Sequence, residues 1–243
     1  MAGEVAGISG LASGELKVRK ENTAERAAGV LRNLIVRGDI EPGQPLREVE
    51  LAPALGVSRN TIREALRILA REALVAPSHR NVYTVVQVSA GDVPDIFRAR
   101  VMIELAAVKA IAEDDSALDL TEMRAAVEAL RKLRGDVEWW EVVDADLAFH
   151  TALVAQARSP RLSAIYKQLE GEIRLCLCVS SQFQVSIEQL VDEHTEFLVV
   201  LEKGKYERLE KLLSSSMDEA AARVIALLDP VSVAGENGAA RPS

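Results

Sequence analysis

Asp146 and His150 stand four residues apart in the segment Asp-Leu-Ala-Phe-His, so on a helix both side chains leave the same face. A carboxylate and an imidazole at that spacing make half of a divalent-metal site, which takes three or four such donors. The chain has three histidines; the others are His79, in Ser-His-Arg-Asn, and His194, in Val-Asp-Glu-His-Thr-Glu-Phe. Taken singly, each reads as a satisfied core or surface residue rather than a ligand. A second set of residues suits a different chemistry. Arg59, Arg63, Arg67 and Arg71 recur every fourth residue. Successive members drift by about 40° around a helix, so the four form one oblique stripe. Guanidinium forks suit phosphate oxygens and guanine edges, while Glu64 and Glu72 among them also fit a plain solvated face.

The elements that must carry these residues follow from the apolar pattern. The arginine stripe lies on a helix opened by Gly56 and a Ser58 cap, with Ile62, Leu66 and Leu69 at helical spacing on its buried side. A short helix over 48–55 precedes it, with Leu51, Ala52 and Leu55 inward. Before that, Asn22 and Glu25 start a helix whose stripe is Ala27, Val30, Leu31, Leu34 and Ile35, ending near Gly38. Helix, tight turn, helix is the helix-turn-helix arrangement. Two β-like runs follow, 74–76 and 82–88, with turn chemistry at Ser78-His79-Arg80-Asn81 between them, which makes a wing. Beyond a break at 89–92 the pattern is helical: 94–113, with Phe97, Val101, Leu105 and Val108 as its stripe, then 118–133, 137–157, 159–180, 186–204 and 206–228. His194 falls on the fifth of these, whose buried side is marked by Phe197 and Leu198. The expected fold is mainly α: an N-terminal winged helix-turn-helix over 21–88 and a C-terminal antiparallel six- or seven-helix bundle over 89–229. Residues 1–20 and 230–243, rich in Gly, Ala and Ser, read as a flexible arm and a disordered tail.

Charge divides the chain at the same place. Residues 1–88 hold 12 Lys and Arg against 10 Asp and Glu, whereas 89–243 hold 17 against 27, within a net charge of −8. A mildly basic head on an acidic body points to two partners. Cys176 and Cys178 are the only cysteines, and two apart on a helix they cannot form the usual disulfide. Such scarcity fits a reducing cytoplasm, and no apolar run reaches the roughly 20 residues a membrane helix needs.

The segment PGQPLREVELAPALGVSRNTIREALRILAREALV resembles the DNA-binding domain of the GntR family of bacterial transcription regulators, chiefly at Leu55-Gly56-Val57-Ser58-Arg59, Arg63-Glu64-Ala65-Leu66, Leu69 and Leu74-Val75. The resemblance implies that Arg59 and Arg63 contact bases or phosphate in the major groove, with Ser58 and Thr61 on the backbone and His79 and Arg80 on the wing. Arg67 joins the stripe behind them. Two positions depart from the family: Ala73 where Gly is usual, which predicts a different end to the helix, and Asn81-Val82 where the wing usually has Arg-Gly.

The second part resembles the ligand-sensing FCD domain of the FadR-like branch of that family, through Arg100 with Glu104, Asp146 to His150, Ser159-Pro160-Arg161-Leu162, and Glu193-His194. That likeness implies a divalent metal (zinc, nickel or manganese) on Asp146, His150 and His194, with a small carboxylate effector completing the sphere. The fourth histidine is expected near Ser216 and is absent. Arg100 and Arg174 are the candidates for pairing with the effector, although Arg100 can equally pair with Glu104. The expectation is a cytoplasmic homodimeric regulator, a repressor rather than an enzyme, binding a near-palindromic double-stranded DNA operator under effector control. The alternatives are a metal-free regulator with a larger acyl ligand and a metal-dependent hydrolase on a DNA-binding head.

Overall fold

The computed structural model describes residues 23–78, 82–114, 118–133, 137–179 and 186–229. The expected arm and tail, and the Asn22 cap, fall outside them. The head is built from helix α1 (Thr23–Arg37), strand β1 (Pro45–Leu46), helix α2 (Glu48–Ala54), helix α3 (Arg59–Arg71), and strands β2 (Val75–Pro77) and β3 (Tyr83–Val85). The strands form an antiparallel sheet in the order β1-β3-β2, with Leu46 opposite Tyr83 and Val75 opposite Val85. Pro77 is tolerated because β2 is an edge strand. Ala28, Leu31, Ile62, Leu66, Leu69 and Leu74 are buried in one core beneath the sheet.

Two expectations change here. Val30 is 47% exposed, and Ala28 takes its place in the buried stripe. Two residues on a helix are about 200° apart, so a stripe through Ala24, Ala28, Leu31 and Ile35 turns Val30 to the far side. The helix end at Ala73 is also not altered as expected. Ala73 takes a left-handed φ of 55°. Leu74 N–H donates to Leu69 O at 3.1 Å and Ala73 N–H to Ala70 O at 3.2 Å. That is the paired bonding of a Schellman cap, accompanied by contact between the buried Leu74 and Leu69. The cap holds an alanine where glycine would sit without strain.

Six helices follow among the described residues: α4 (Val93–Ala112), α5 (Thr121–Lys132), α6 (Trp139–Gln156), α7 (Pro160–Val179), α8 (Ile187–Glu202) and α9 (Tyr206–Leu228). Their apolar faces meet in a core where α5 and α7 pack on α6, α4 on α9, and α8 on α5. Ser186 caps α8 by accepting from Gln189 N–H, and Gly204 closes that helix with a φ of 62°. On α4 the expected stripe shifts. Val101 and Leu105 are only half-buried, whereas Arg100 and Glu104 are wholly buried between Phe97 and Val108. A hydropathy pattern cannot show this, because the two charges enter the core as a mutually satisfied pair. None of the described helices is long and apolar enough to cross a membrane.

The head rests on α7. Leu175 is buried in the head's own core. Gly171 lies so close to the end of α3 that a Cβ there would stand 1.6 Å from the Glu72 carbonyl oxygen. Arg32 of α1 donates twice to the Glu72 carboxylate, at 2.8 and 2.7 Å, and the Arg37 guanidinium lies 5.1 Å from the Trp140 ring centre.

Candidate functional site

In the head, the start of α3 sets its donors. Ser58 Oγ accepts from Thr61 N–H at 3.1 Å and pairs with Thr61 Oγ1 at 2.8 Å, so both hydroxyls sit at the helix N-terminus. That end of a helix favours anions. Arg59 is largely exposed, Arg63 is held by Glu48, and Arg67 pairs with Glu64. His79 and Arg80 lie outside the described residues. Glu48 is the member of this group that the arginine pattern misses: it precedes Arg63 by fifteen residues, on another helix, and no periodicity links them.

In the bundle, the fold brings Arg100, Asp146, His150 and His194 together. Arg100 Nε donates to Glu104 Oε1 at 2.9 Å, and its Nη2 lies 3.5 Å from Asp146 Oδ2. Tyr166 donates to the same Glu104 Oε1 at 3.0 Å. Arg100 therefore makes the expected pair with Glu104 and also lines the Asp146 cavity. Arg174 is not part of this group. It is on the side of α7 facing the head, paired with Glu170 at 2.9 Å and with Asp144. The cavity, about 50 Å³, is lined by Arg100, Trp139, Asp146, His150, Ser216 and Arg223 among others. Ser216, where the fourth histidine is expected, lines the same cavity. Tyr166 and Arg223 carry no motif that would have marked them.

The histidine rings are locked. His150 Nδ1 lies 2.9 Å from Glu104 Oε2, and His194 Nδ1 lies 2.7 Å from the Leu190 carbonyl oxygen. An ionised carboxylate and a carbonyl only accept, so each Nδ1 carries the proton and each Nε2 presents a lone pair. Both Nε2 atoms face Asp146 Oδ1, at 3.9 Å for His150 and 3.2 Å for His194. One ligand atom from each of Asp146, His150 and His194 lies within 4.8 Å of the other two. Asp146 Oδ2 and His194 Nε2 are buried without a hydrogen-bond partner.

Such an arrangement of lone pairs requires a cation or a proton between them. Burial alone pulls the His194 pKa down, but the Asp146 carboxylate beside it outweighs that, so the pKa rises above 6.5. Burial would likewise raise Glu104, yet His150 and Arg100 beside it hold its carboxyl at about 2. Asp146 is held below the usual carboxylate range, against burial, by His194, His150 and Arg100. The donor set is that of a three-ligand site, each imidazole oriented through its second nitrogen as metal-binding histidines are. The residues present fit a divalent ion.

Known proteins give matches over both halves. The description "Bacterial regulatory proteins, gntR family" matches residues 23–85, and the FCD domain matches residues 95–219. A Rhodococcus sp. RHA1 structure described as a transcriptional regulator GntR is 31% identical, with a TM-score of 0.69, covering 84% of this chain and 97% of its own. The HTH-type transcriptional regulator YdhC of Bacillus subtilis is 26% identical over 73% of this chain and 80% of its own. The gluconate operon transcriptional repressor of Bacillus licheniformis is 24% identical over 84% and 86%.

Proposed function

This chain belongs to the GntR family of DNA-binding transcription regulators, with an FCD domain as its second half, and from that premise we propose a repressor whose hold on its operator is set by a small organic acid. Its relatives are regulators and not enzymes. Residues 21–88 form the DNA-reading unit and 89–229 the sensing unit. Arg59 and Arg63 enter the major groove, Ser58 and Thr61 take a phosphate at the start of α3, and Arg67, His79 and Arg80 contribute further DNA contacts. A DNA partner places its work in the cytoplasm. Two copies bind a near-palindromic site, as the two-fold logic of helix-turn-helix proteins requires.

In the sensing unit, Asp146, His150 and His194 would hold a divalent ion, which supplies a positive centre for carboxylate oxygens. Arg100, wholly buried and with its Nη2 near Asp146 but free of a hydrogen bond, meets the same ligand from the side. The observation that carries this reading is the convergence of two locked, buried imidazoles on one carboxylate within the helical bundle. The gluconate operon repressor among the relatives supports an organic acid as the effector class and repression as the mode.

Elemental analysis of protein prepared with zinc, nickel or manganese, beside His150→Ala and His194→Ala, tests the centre. One ion per chain in the wild type, lost in both variants, is expected; a metal-free wild type under all three loadings contradicts it. For the head, Arg59→Ala or Arg63→Ala should cost about 1–3 kcal/mol of operator affinity if either arginine reads a base edge. Unchanged specific binding in both contradicts that role.

A further inference from the structure

Arg63 has five N–H hydrogens. Its Nε and Nη2 donate to the two oxygens of Glu48, each at 2.8 Å, and its Nη1 donates to Asn60 Oδ1 at 3.3 Å. Three hydrogens are thereby used. Two remain, one on each terminal nitrogen, and with the Nε side taken by Glu48 the end-on edge of the guanidinium plane is the edge left to face a base. That edge is the fork that matches O6 and N7 of guanine. The side chain of Arg63 is 43% exposed and that of Glu48 only 17%, so the carboxylate lies behind and the arginine in front. Glu48 stands on the first position of α2, and Arg59 Nη2 reaches to 3.9 Å from the same Oε2. The hydrogen bond from Arg63 holds the Glu48 carboxyl below its usual range, with the charges of Arg59 and Arg67 adding to it.

A phosphate clamp works as a mobile cation that offers any edge. An arginine bound twice to a carboxylate has lost that mobility and much of its charge, but has one fork aimed outward. We propose that Glu48 is a positioning residue for sequence reading: it fixes Arg63 as a guanine reader and keeps it from phosphate. The DNA-reading role given above to α3 is the premise. Specific binding gains discrimination from the pair, and non-specific binding is weakened by the same negative charge.

A randomised duplex pool, selected with the full-length wild-type protein, supplies the probe. The selected duplex is remade with 7-deazaguanine, which lacks N7, at one guanine at a time. Wild type should lose about fivefold or more at one position of each half-site, and Arg63→Ala should be insensitive at that position alone. In Glu48→Gln the loss there should fall below about twofold, while binding to unselected duplex holds or rises and the log–log salt slope steepens by about one. Retained binding to unselected duplex also reports a folded head. A Glu48→Gln profile and salt slope equal to wild type would overturn the proposal. So would an equal loss on selected and unselected duplex, the result of a pair that merely ties α2 to α3. If Arg63→Ala weakens the selected duplex while Glu48→Gln changes nothing, only the Glu48 role falls. If Arg59→Ala and Arg63→Ala both leave selection untouched, the reading role of α3 falls and takes the Glu48 role with it.

Discussion

At the scale of the residue, His194 is set by two acceptors. Leu190 O takes the Nδ1 proton and Asp146 faces Nε2, so the Nε2 position is contested between a proton and a metal ion. Its pKa in the metal-free protein is raised above 6.5, so protonated His194 stabilises that form below pH 6.5, and this contribution is lost as pH rises through the higher folded value. Metal affinity runs the other way. It should fall by about tenfold per pH unit below the raised pKa, because one proton must leave for each ion bound. The rise in melting temperature on adding zinc should therefore be larger at pH 8 than at pH 6; a shift independent of pH would contradict the ligand role. Glu104 acts behind His150. Glu104→Gln removes the charge that orients the ring and leaves Arg100 underpaired in the core. A stability loss of about 3–5 kcal/mol in urea unfolding is expected. Metal binding should weaken roughly 10–100-fold.

At the scale of the element, the end of α3 is where the head meets the bundle. Ala73 is left-handed, so Ala73→Gly should stabilise the protein by about 1 kcal/mol, read as a higher melting temperature. Gly171→Ala should act oppositely. Its Cβ would clash with the Glu72 backbone, which is not a flexible side-chain end that can move aside. A loss of about 1–3 kcal/mol is expected, with a lowered urea midpoint as the check. The long elements were legible because caps and punctuation marked them: Ser186 with Gln189, Ser159-Pro160, Gly204 and Gly56. Strand β1 was not, since two residues show no alternation, and only their pairing with β3 defines them. The charged centre of α4 was hidden for a different reason. Periodicity counts apolar residues, and Arg100 with Glu104 occupies an apolar stripe by satisfying its own charges.

At the scale of the whole molecule, the two halves are tied by contacts that run from α6 through α7 to the end of the recognition helix. Asp144 lies two residues before Asp146 on α6 and pairs with Arg174 of α7; Arg174 pairs with Glu170, next to Gly171 beneath the end of α3. This places Arg174 at the junction, and not beside Arg100 where an effector role would need it. The sequence puts Arg174 forward beside Arg100, and only packing separates them. In the same way the meeting of His194 with Asp146 depends on α8 lying across the bundle, which no local pattern encodes. A ligand that alters the spacing of α6 and α7 would alter the seat of the head, and coupling of about 1–3 kcal/mol, or 5–150-fold, is the usual range. The most direct test uses zinc-loaded protein and a panel of small carboxylates, including gluconate. Calorimetry finds those that bind, and each is then added during titration of the selected operator duplex. A binder should change operator Kd by at least about fivefold, with the change absent in His150→Ala. A carboxylate that saturates the bundle and leaves operator Kd unmoved would contradict the account.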